Sequence, residues 1–211
     1  MSAVNAPDLS RVLVAGLGVT GRAVVEALQA SNSEILAVDD QPTSVATVAQ
    51  ELRVELLDSS SATELERAFS GITSVVPSPG IPCHHLLYRL ADASGVEILS
   101  ELDLAALWND RPCAAVTGTN GKTTVTELTT QMLLASGMQA AAVGNTDTPF
   151  VSAIDDKEIG YEVFVVEASS FRLDRVRRFR AKAAAWLNLA PDHLDWHENF
   201  QAYARAKSKI W

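Results

Sequence analysis

Lys122 and Thr123 close a short glycine loop, Val116-Thr117-Gly118-Thr119-Asn120-Gly121-Lys122-Thr123-Thr124. Residues of these types in this order bind phosphate. Glycines let successive backbone N–H groups turn toward one anion, and a following helix adds its partial positive charge. Lys122 is placed to reach terminal phosphates, and the Thr123 hydroxyl to ligate Mg²⁺. The general pattern asks for a glycine at position 116, where this chain has Val116. The loop is therefore a shorter variant, GxxGKTT. The bland alternative is a βα turn that binds nothing.

A second glycine turn, Gly16-Leu17-Gly18-Val19-Thr20-Gly21, is followed at the usual distance by Asp39. Alone it reads as a dinucleotide fingerprint with the acid on a ribose hydroxyl, which would make the chain a nicotinamide oxidoreductase. The same turn accepts any nucleotide diphosphate, because the physics concerns pyrophosphate. A close-packing turn without a ligand is the third reading. A separate loop suited to ATP weighs against hydride transfer.

Other candidates carry their own alternatives. His193 and His197 are four apart, but no third ligand at zinc spacing accompanies them. On a helix, Phe200, Tyr203, Ala204, Lys207 and Trp211 share one face while Arg205 and Lys209 point away. Lys207 thus lies on an apolar stripe, where burial would lower its pKa; a snorkelling lysine is the alternative. Arg175–Arg180 reads as a solvated face. Trp108, Trp186 and Trp196 read as packing residues, and His84 and His85 as the start of an exposed helix.

The elements that must position these groups alternate. Strands are expected at Arg11–Ala15, Glu34–Val38, Val54–Leu57, Thr73–Val76 and Glu97–Leu99. Helices are expected at Thr20–Ala30, Ser44–Glu51, from a Ser61 cap to Phe69 with Glu64 at the capping-box position, and at His84–Ala93. Asn109-Asp110-Arg111-Pro112 breaks the pattern and marks an expected boundary between domains 1–110 and 111–211. Alternation then resumes with strand Ala114–Thr117, helix Lys122–Ser136, strands Gln139–Val143, Val163–Glu167 and Ala183–Leu189, and helix Phe200–Trp211. The expected class is α/β: a Rossmann-like parallel-sheet domain followed by part of a P-loop ATPase-type domain. The last helix stops without Gly, Pro or a polar cap, which reads as a truncated chain.

Composition sets the outer limits. A formal charge of -9 over 211 residues argues against a general nucleic-acid or anionic-membrane surface. Cys83 and Cys113 have no CxxC spacing and read as free thiols of a reducing compartment. MSAVNAPDLS lacks the pattern of a signal peptide. No apolar run approaches the roughly 18 residues of a membrane span.

Three further segments join the two glycine turns: Ser78-Pro79-Gly80-Ile81-Pro82, Glu167-Ala168-Ser169-Ser170-Phe171, and Asn188-Leu189-Ala190-Pro191-Asp192-His193-Leu194-Asp195. Together they resemble the Mur ligases over essentially the whole chain. The GLGVTG and SPGIP pair is most similar to the branch that adds D-glutamate. The resemblance implies a cytoplasmic, monomeric, ATP- and Mg²⁺-dependent amide ligase of peptidoglycan precursor synthesis, acting on UDP-N-acetylmuramoyl-L-alanine and D-glutamate. A sibling that adds L-alanine is the nearest alternative.

It also implies roles. Gly118, Thr119, Asn120, Gly121, Lys122, Thr123 and Thr124 would cradle ATP. Lys122, Glu167, His193 and Lys207 would be catalytic. Thr123 and Glu167 would hold one metal, and His193 and a carbamylated Lys207 a second. Val19, Thr20, Asp39, Asp40, Ser78 and Gly80 would line the UDP pocket, with Asn145 and Ser169 at the sugar-peptide end. Three positions depart from the family pattern: Thr146-Asp147 stand where Ile-Gly is usual, Gln41 where a basic residue is frequent, and Arg172 where Gln is common. Arg172 is expected at the diphosphate. The family's third domain, which takes the incoming amino acid, is expected to be absent, so that this chain binds UDP-substrate without forming product.

Overall fold

The computed structural model describes residues 6–154 and 159–211. Part of the amino-terminal stretch read for a leader, residues 1–5, lies outside them. The chain divides into two compact units, Met1–Leu99 and Ser100–Trp211. Among the described residues no helix is long and apolar enough to cross a membrane.

The first unit alternates β1 (Arg11–Ala15), α1 (Val19–Ala30), β2 (Glu34–Asp39), α2 (Pro42–Leu52), β3 (Glu55–Asp58), α3 (Ala62–Ala68), β4 (Ser74–Pro77), α4 (Leu86–Ser94) and β5 (Glu97–Ile98). Its strands pair in the order β3-β2-β1-β4-β5, all parallel. Val12, Leu13 and Val14 are fully buried, as a strand covered on both faces requires. Leu13, Val38 and Val75 of the sheet cluster with Leu65, Phe69 and Leu87 of the α3 and α4 segments. The strand order reverses beside β1, so the crevice at its carboxyl end is where ligands of open α/β sheets bind.

Local signals explain the helix ends. Ser61 caps α3 by accepting the Glu64 N–H at 3.4 Å, but the Glu64 carboxylate accepts from Asp58 N–H, not from Ser61. It thereby ties the helix to the end of β3. Gly95, at φ 64°, closes α4 in the left-handed region that glycine adopts without steric cost.

The second unit runs α5 (Glu101–Trp108), β6 (Cys113–Thr117), α6 (Lys122–Ala135), β7 (Ala140–Gly144), α7 (Phe150–Ile154), β8 (Val163–Glu167), α8 (Ser170–Asp174), β9 (Ala183–Trp186) and α9 (Phe200–Ser208). Its strand order is β7-β8-β6-β9, again all parallel. Phe150 packs edge-on against Phe164 with ring centroids 5.0 Å apart.

The division between units falls before α5, not at 109–112. Asn109 to Pro112 form a self-bonded turn inside the second unit. Asn109 accepts from Arg111 Nε at 3.0 Å, and Arg111 donates to the Ile154 carbonyl at 2.7 Å. The helix α5 is fixed to the same unit by two buried acids. Glu101 accepts from Val151 N–H at 2.9 Å and from Arg172 at 2.5 Å. Asp103, with no exposed surface, accepts the backbone N–H groups of Arg177, Arg178 and Phe179.

Candidate functional site

The glycine loop of the second unit leaves β6 at Thr117 and enters α6 at Lys122. Gly121 takes φ 82°, which turns the chain from loop to helix. A Cβ at Gly118 would stand 3.2 Å from Leu187 Cβ, so the loop lies close on the segment after β9. Asn188 staples it there. Its side-chain oxygen accepts from Thr119 N–H at 3.1 Å and Asn120 N–H at 3.0 Å, and its amide donates to the Asn120 carbonyl at 3.0 Å. This role ends β9 at Trp186, short of the expected Leu189. The N–H groups of the first turn of α6, at Lys122, Thr123 and Thr124, have no carbonyl within their own helix to pair with. A fourteen-residue helix therefore presents donors and a positive dipole end to an anion.

Two lysines converge on this loop. Lys122 Nζ donates to the carbonyls of Gly118 at 3.1 Å and Thr119 at 2.9 Å. Lys207 Nζ, from α9, donates to the same Gly118 carbonyl at 2.6 Å and lies 4.7 Å from the centre of the Tyr203 ring. Lys207 is 1% exposed. Burial, reinforced by the neighbouring Lys122 charge, pulls its pKa down to about 8. It does not snorkel. The expected apolar face of α9 holds at Tyr203 and Lys207 but not at Trp211, which is 66% exposed. The helix ends at Ser208, and Ile210 turns inward in its place. Tyr203 also ties α9 to the loop, through a 3.0 Å hydrogen bond to the Thr119 hydroxyl.

Glu167 ends β8, opposite Val116 in the register with β6. It is 1% exposed. One oxygen accepts from the Asn145 side chain at 2.9 Å; the other, Oε2, is buried with no hydrogen-bond partner among the described residues. A bare, buried carboxylate oxygen is costly unless something cationic meets it. That fits a hard divalent cation, which prefers carboxylate and hydroxyl oxygen. The position opposite is made by close packing: a Cβ at Gly144, at φ 100°, would come within 2.5 Å of the Glu167 carbonyl.

His193 is exposed and left-handed at φ 53°, with Asp192 3.5 Å from its Nε2 and the Phe171 ring 4.6 Å away. Among the described residues no three His, Cys, Asp or Glu side chains gather as a ready metal cage. The bare oxygen of Glu167 could supply one ligand position. Thr123 sits exposed in the first turn of α6, where a hydroxyl can supply another.

His197 is buried at 4% exposure, bonded to the Ser170 hydroxyl at 2.9 Å and stacked on Phe171. Burial holds its pKa below the usual histidine value. It belongs to an aromatic cluster with Trp196 and Tyr203, which sequence spacing alone did not bring out.

Arg172 is not free to meet a diphosphate. It is 6% exposed and paired with Glu101, because α8 carries it into the unit's interior. Ser169 caps α8 by accepting the Arg172 N–H at 3.3 Å. Asn145 is exposed and binds Glu167 twice, through its own N–H and its side chain. Val176 and Phe179 of the arginine-rich stretch are buried, whereas Arg177 and Arg180 are exposed.

In the first unit, Gly16 adopts φ 83°, and a Cβ at Gly21 would meet the Gly16 carbonyl at 1.8 Å. Both glycines are thus sterically required. Ser78 donates to the Gly16 carbonyl at 2.9 Å. Val19, at the start of α1, is 69% exposed. Asp39 accepts Leu17 N–H on one oxygen at 3.0 Å and Gln41 N–H on the other at 2.8 Å. Its carboxylate thereby braces the glycine turn. Thr20 stands in the first turn of α1, and Gly80 has open space where a Cβ would be. Asp40 is exposed and accepts from Ser59 and His85.

These two turns and their sheets have close relatives. Residues 10–100 match the Mur ligase MurD-like N-terminal domain, and residues 116–211 the Mur ligase middle domain. A UDP-N-acetylmuramoylalanine-D-glutamate ligase of Frankia casuarinae is 41% identical over 205 residues, which are 95% of this chain and 42% of the relative. Enzymes of the same name from Mycolicibacterium vanbaalenii and Thermoanaerobacter pseudethanolicus are 40% and 33% identical, with 41% and 44% of their lengths covered. The chain thus spans less than half the length of these relatives. Its fold is shared with a UDP-N-acetylmuramate:L-alanyl-gamma-D-glutamyl-meso-diaminopimelate ligase from Neisseria meningitides at a TM-score of 0.60 and 16% identity, covering 96% of this chain and 68% of that one. A UDP-N-acetylmuramate-alanine ligase from Thermotoga maritima shares it at 0.54 and 18%, covering 95% and 46%. With its two domain matches running almost end to end, the chain belongs to the Mur ligase family.

Proposed function

We propose that the chain is the nucleotide-binding part of an ATP-dependent ligase that joins D-glutamate to the carboxylate of UDP-N-acetylmuramoyl-L-alanine, a cytoplasmic step of peptidoglycan precursor synthesis. The observation that carries this reading is two anion cradles, each at the carboxyl end of its own parallel sheet. One is the glycine turn that opens α1, where Gly18 at the N-cap makes no side-chain cap. The other has a lysine, a threonine and a buried carboxylate with one bare oxygen. A hydride-transfer enzyme has no use for the second.

Magnesium-ATP, when bound, supplies the phosphoryl group that makes the substrate carboxylate an acyl phosphate, which the D-glutamate amine attacks to give amide, ADP and phosphate. The chain's own residues set the conditions. The first turn of α6 donates to phosphate oxygens, and Lys122 exchanges its loop carbonyls for phosphate. Thr123 and Glu167 would hold the metal, whose charge would offset the repulsion between two anions. His193 and a carbamylated Lys207 would serve a second metal. A pKa near 8 supports that last role, because the neutral amine is the form that reacts with CO₂. Val19, Thr20, Asp39, Asp40, Ser78 and Gly80 would take the uridine diphosphate, with Asn145 and Ser169 toward the sugar-peptide.

Calorimetric titration of the 211-residue chain tests the reading. UDP-N-acetylmuramoyl-L-alanine is expected to bind more tightly than UDP-N-acetylmuramate, and NAD to give no heat of binding. Binding of NAD in preference to both would overturn it.

A further inference from the structure

Three loops at the carboxyl edge of the first sheet meet on one carboxylate. Asp40 follows β2, Ser59 follows β3 and His85 precedes α4. The Ser59 hydroxyl donates to Asp40 Oδ1 at 2.6 Å, and His85 Nε2 stands 3.1 Å from the same oxygen. The other ring nitrogen of His85, Nδ1, accepts the Leu87 N–H at 3.2 Å and so caps α4. A ring whose Nδ1 accepts carries its proton on Nε2, which makes Nε2 the donor to Asp40. The His85 side chain is 16% exposed, that of Asp40 55%. His85 is therefore a half-buried latch, not the start of an exposed helix. Asp40 directly follows Asp39, whose two oxygens brace the glycine turn and Gln41. Hydrogen bonds thus run from that turn to the first turn of α4.

We propose that His85 is a positioning residue of the first nucleotide cradle. With Ser59 it fixes the Asp40 carboxylate by Oδ1, so that Oδ2 stands ready to accept an N–H or O–H of the bound nucleoside diphosphate. Without the latch, the exposed carboxylate must be ordered by the ligand itself, and binding weakens. The inference rests on the uridine diphosphate reading of this turn.

Two substitutions separate the ring's two jobs. In His85→Asn, the amide oxygen keeps the cap on α4 but the side chain is too short to reach Asp40. In His85→Gln, the amide nitrogen occupies the place of Nε2. The measurement is calorimetric titration of the 211-residue chain with UDP, alongside its thermal midpoint. His85→Asn is expected to keep its midpoint and to bind UDP about three- to tenfold more weakly, the range of one hydrogen bond. His85→Gln is expected to recover most of the loss, and Ser59→Ala to weaken binding in the same sense. On an Asp40→Ala background, His85→Asn is expected to have no further effect. UDP binding that is unchanged in both His85→Asn and Ser59→Ala overturns the latch, as does an undiminished His85→Asn effect without Asp40. Absence of UDP binding by the unsubstituted chain overturns the latch together with the reading beneath it, whereas failure of the latch alone leaves that reading standing.

Discussion

Lys207 is a cation where a methionine would pack, and the cost of burying it has a pH signature. The unfolded chain keeps this proton to about 10.5, while the native side chain gives it up near 8. Between those values the unfolded state binds more protons, so native stability rises with pH across that window and the full penalty applies below it. Lys207→Met removes the titration and retains the volume. The expected outcome is that the stability difference, Lys207→Met minus the unsubstituted chain, is most favourable to the variant at pH 7 and shrinks between pH 8 and 10. Urea denaturation at pH 7, 8.5 and 10 measures it, and a difference that is flat with pH would refute the assignment. The place of Lys207 on the stripe of Tyr203 was legible in the sequence from helical spacing, but spacing left a snorkelling lysine open and did not decide its burial. Nor was its acceptor legible: the Gly118 carbonyl lies 89 residues away in the chain. For the same reason sequence spacing could not find Asn188 on the loop or the pairing of Arg172 with Glu101, both contacts made by strand order rather than by neighbours.

At the scale of elements, α5 holds the arginine-rich stretch through one carboxylate. Asp103 accepts three successive N–H groups from that stretch and also caps its own helix with Ser100. Asp103→Ala would leave those donors, one buried at Phe179 and two part-buried, without their acceptor and is expected to cost about 3 kcal/mol, whereas Asp103→Asn, which keeps one acceptor oxygen, should cost less. Denaturant midpoints at unchanged slope would show it; equal and small effects of both would place the support of this stretch elsewhere. The sequence announced every strand of both sheets, since short β-branched and apolar runs bounded by turns have few other readings. It did not announce α5, α7 or α8. Five consecutive residues of α5, Glu101 to Ala105, are buried. A helix covered on all sides has no polar face, and the 3.6-residue period vanishes. Its one visible signal was the Ser100 and Asp103 capping box. The helices α7 and α8 have five residues each, too few for a period to show.

The whole molecule is two parallel-sheet units, each with its own glycine turn and its own core. A ligand stabilises what it binds by mass action, about 2.7 kcal/mol at one hundred times its dissociation constant. It does so first where it touches, in the backbone N–H groups that donate to it. If the two turns have the separate uses argued above, protection against hydrogen exchange will divide between the units. UDP is expected to slow exchange at Gly18 and Val19 and at Gly80, because the N–H groups of Gly16, Leu17 and Ser78 are already bonded, and to leave the other loop unchanged. Magnesium-ATP is expected to slow exchange from Gly121 through Thr124, since the Val125 N–H already donates to the Gly121 carbonyl. It should leave Thr119 and Asn120 little changed, because Asn188 already protects those two N–H groups. Peptide-resolved exchange with each ligand alone makes the comparison. Protection of both turns by NAD, or of the Gly121–Thr124 segment by UDP but not by magnesium-ATP, would reverse the assignment of nucleotide to turn.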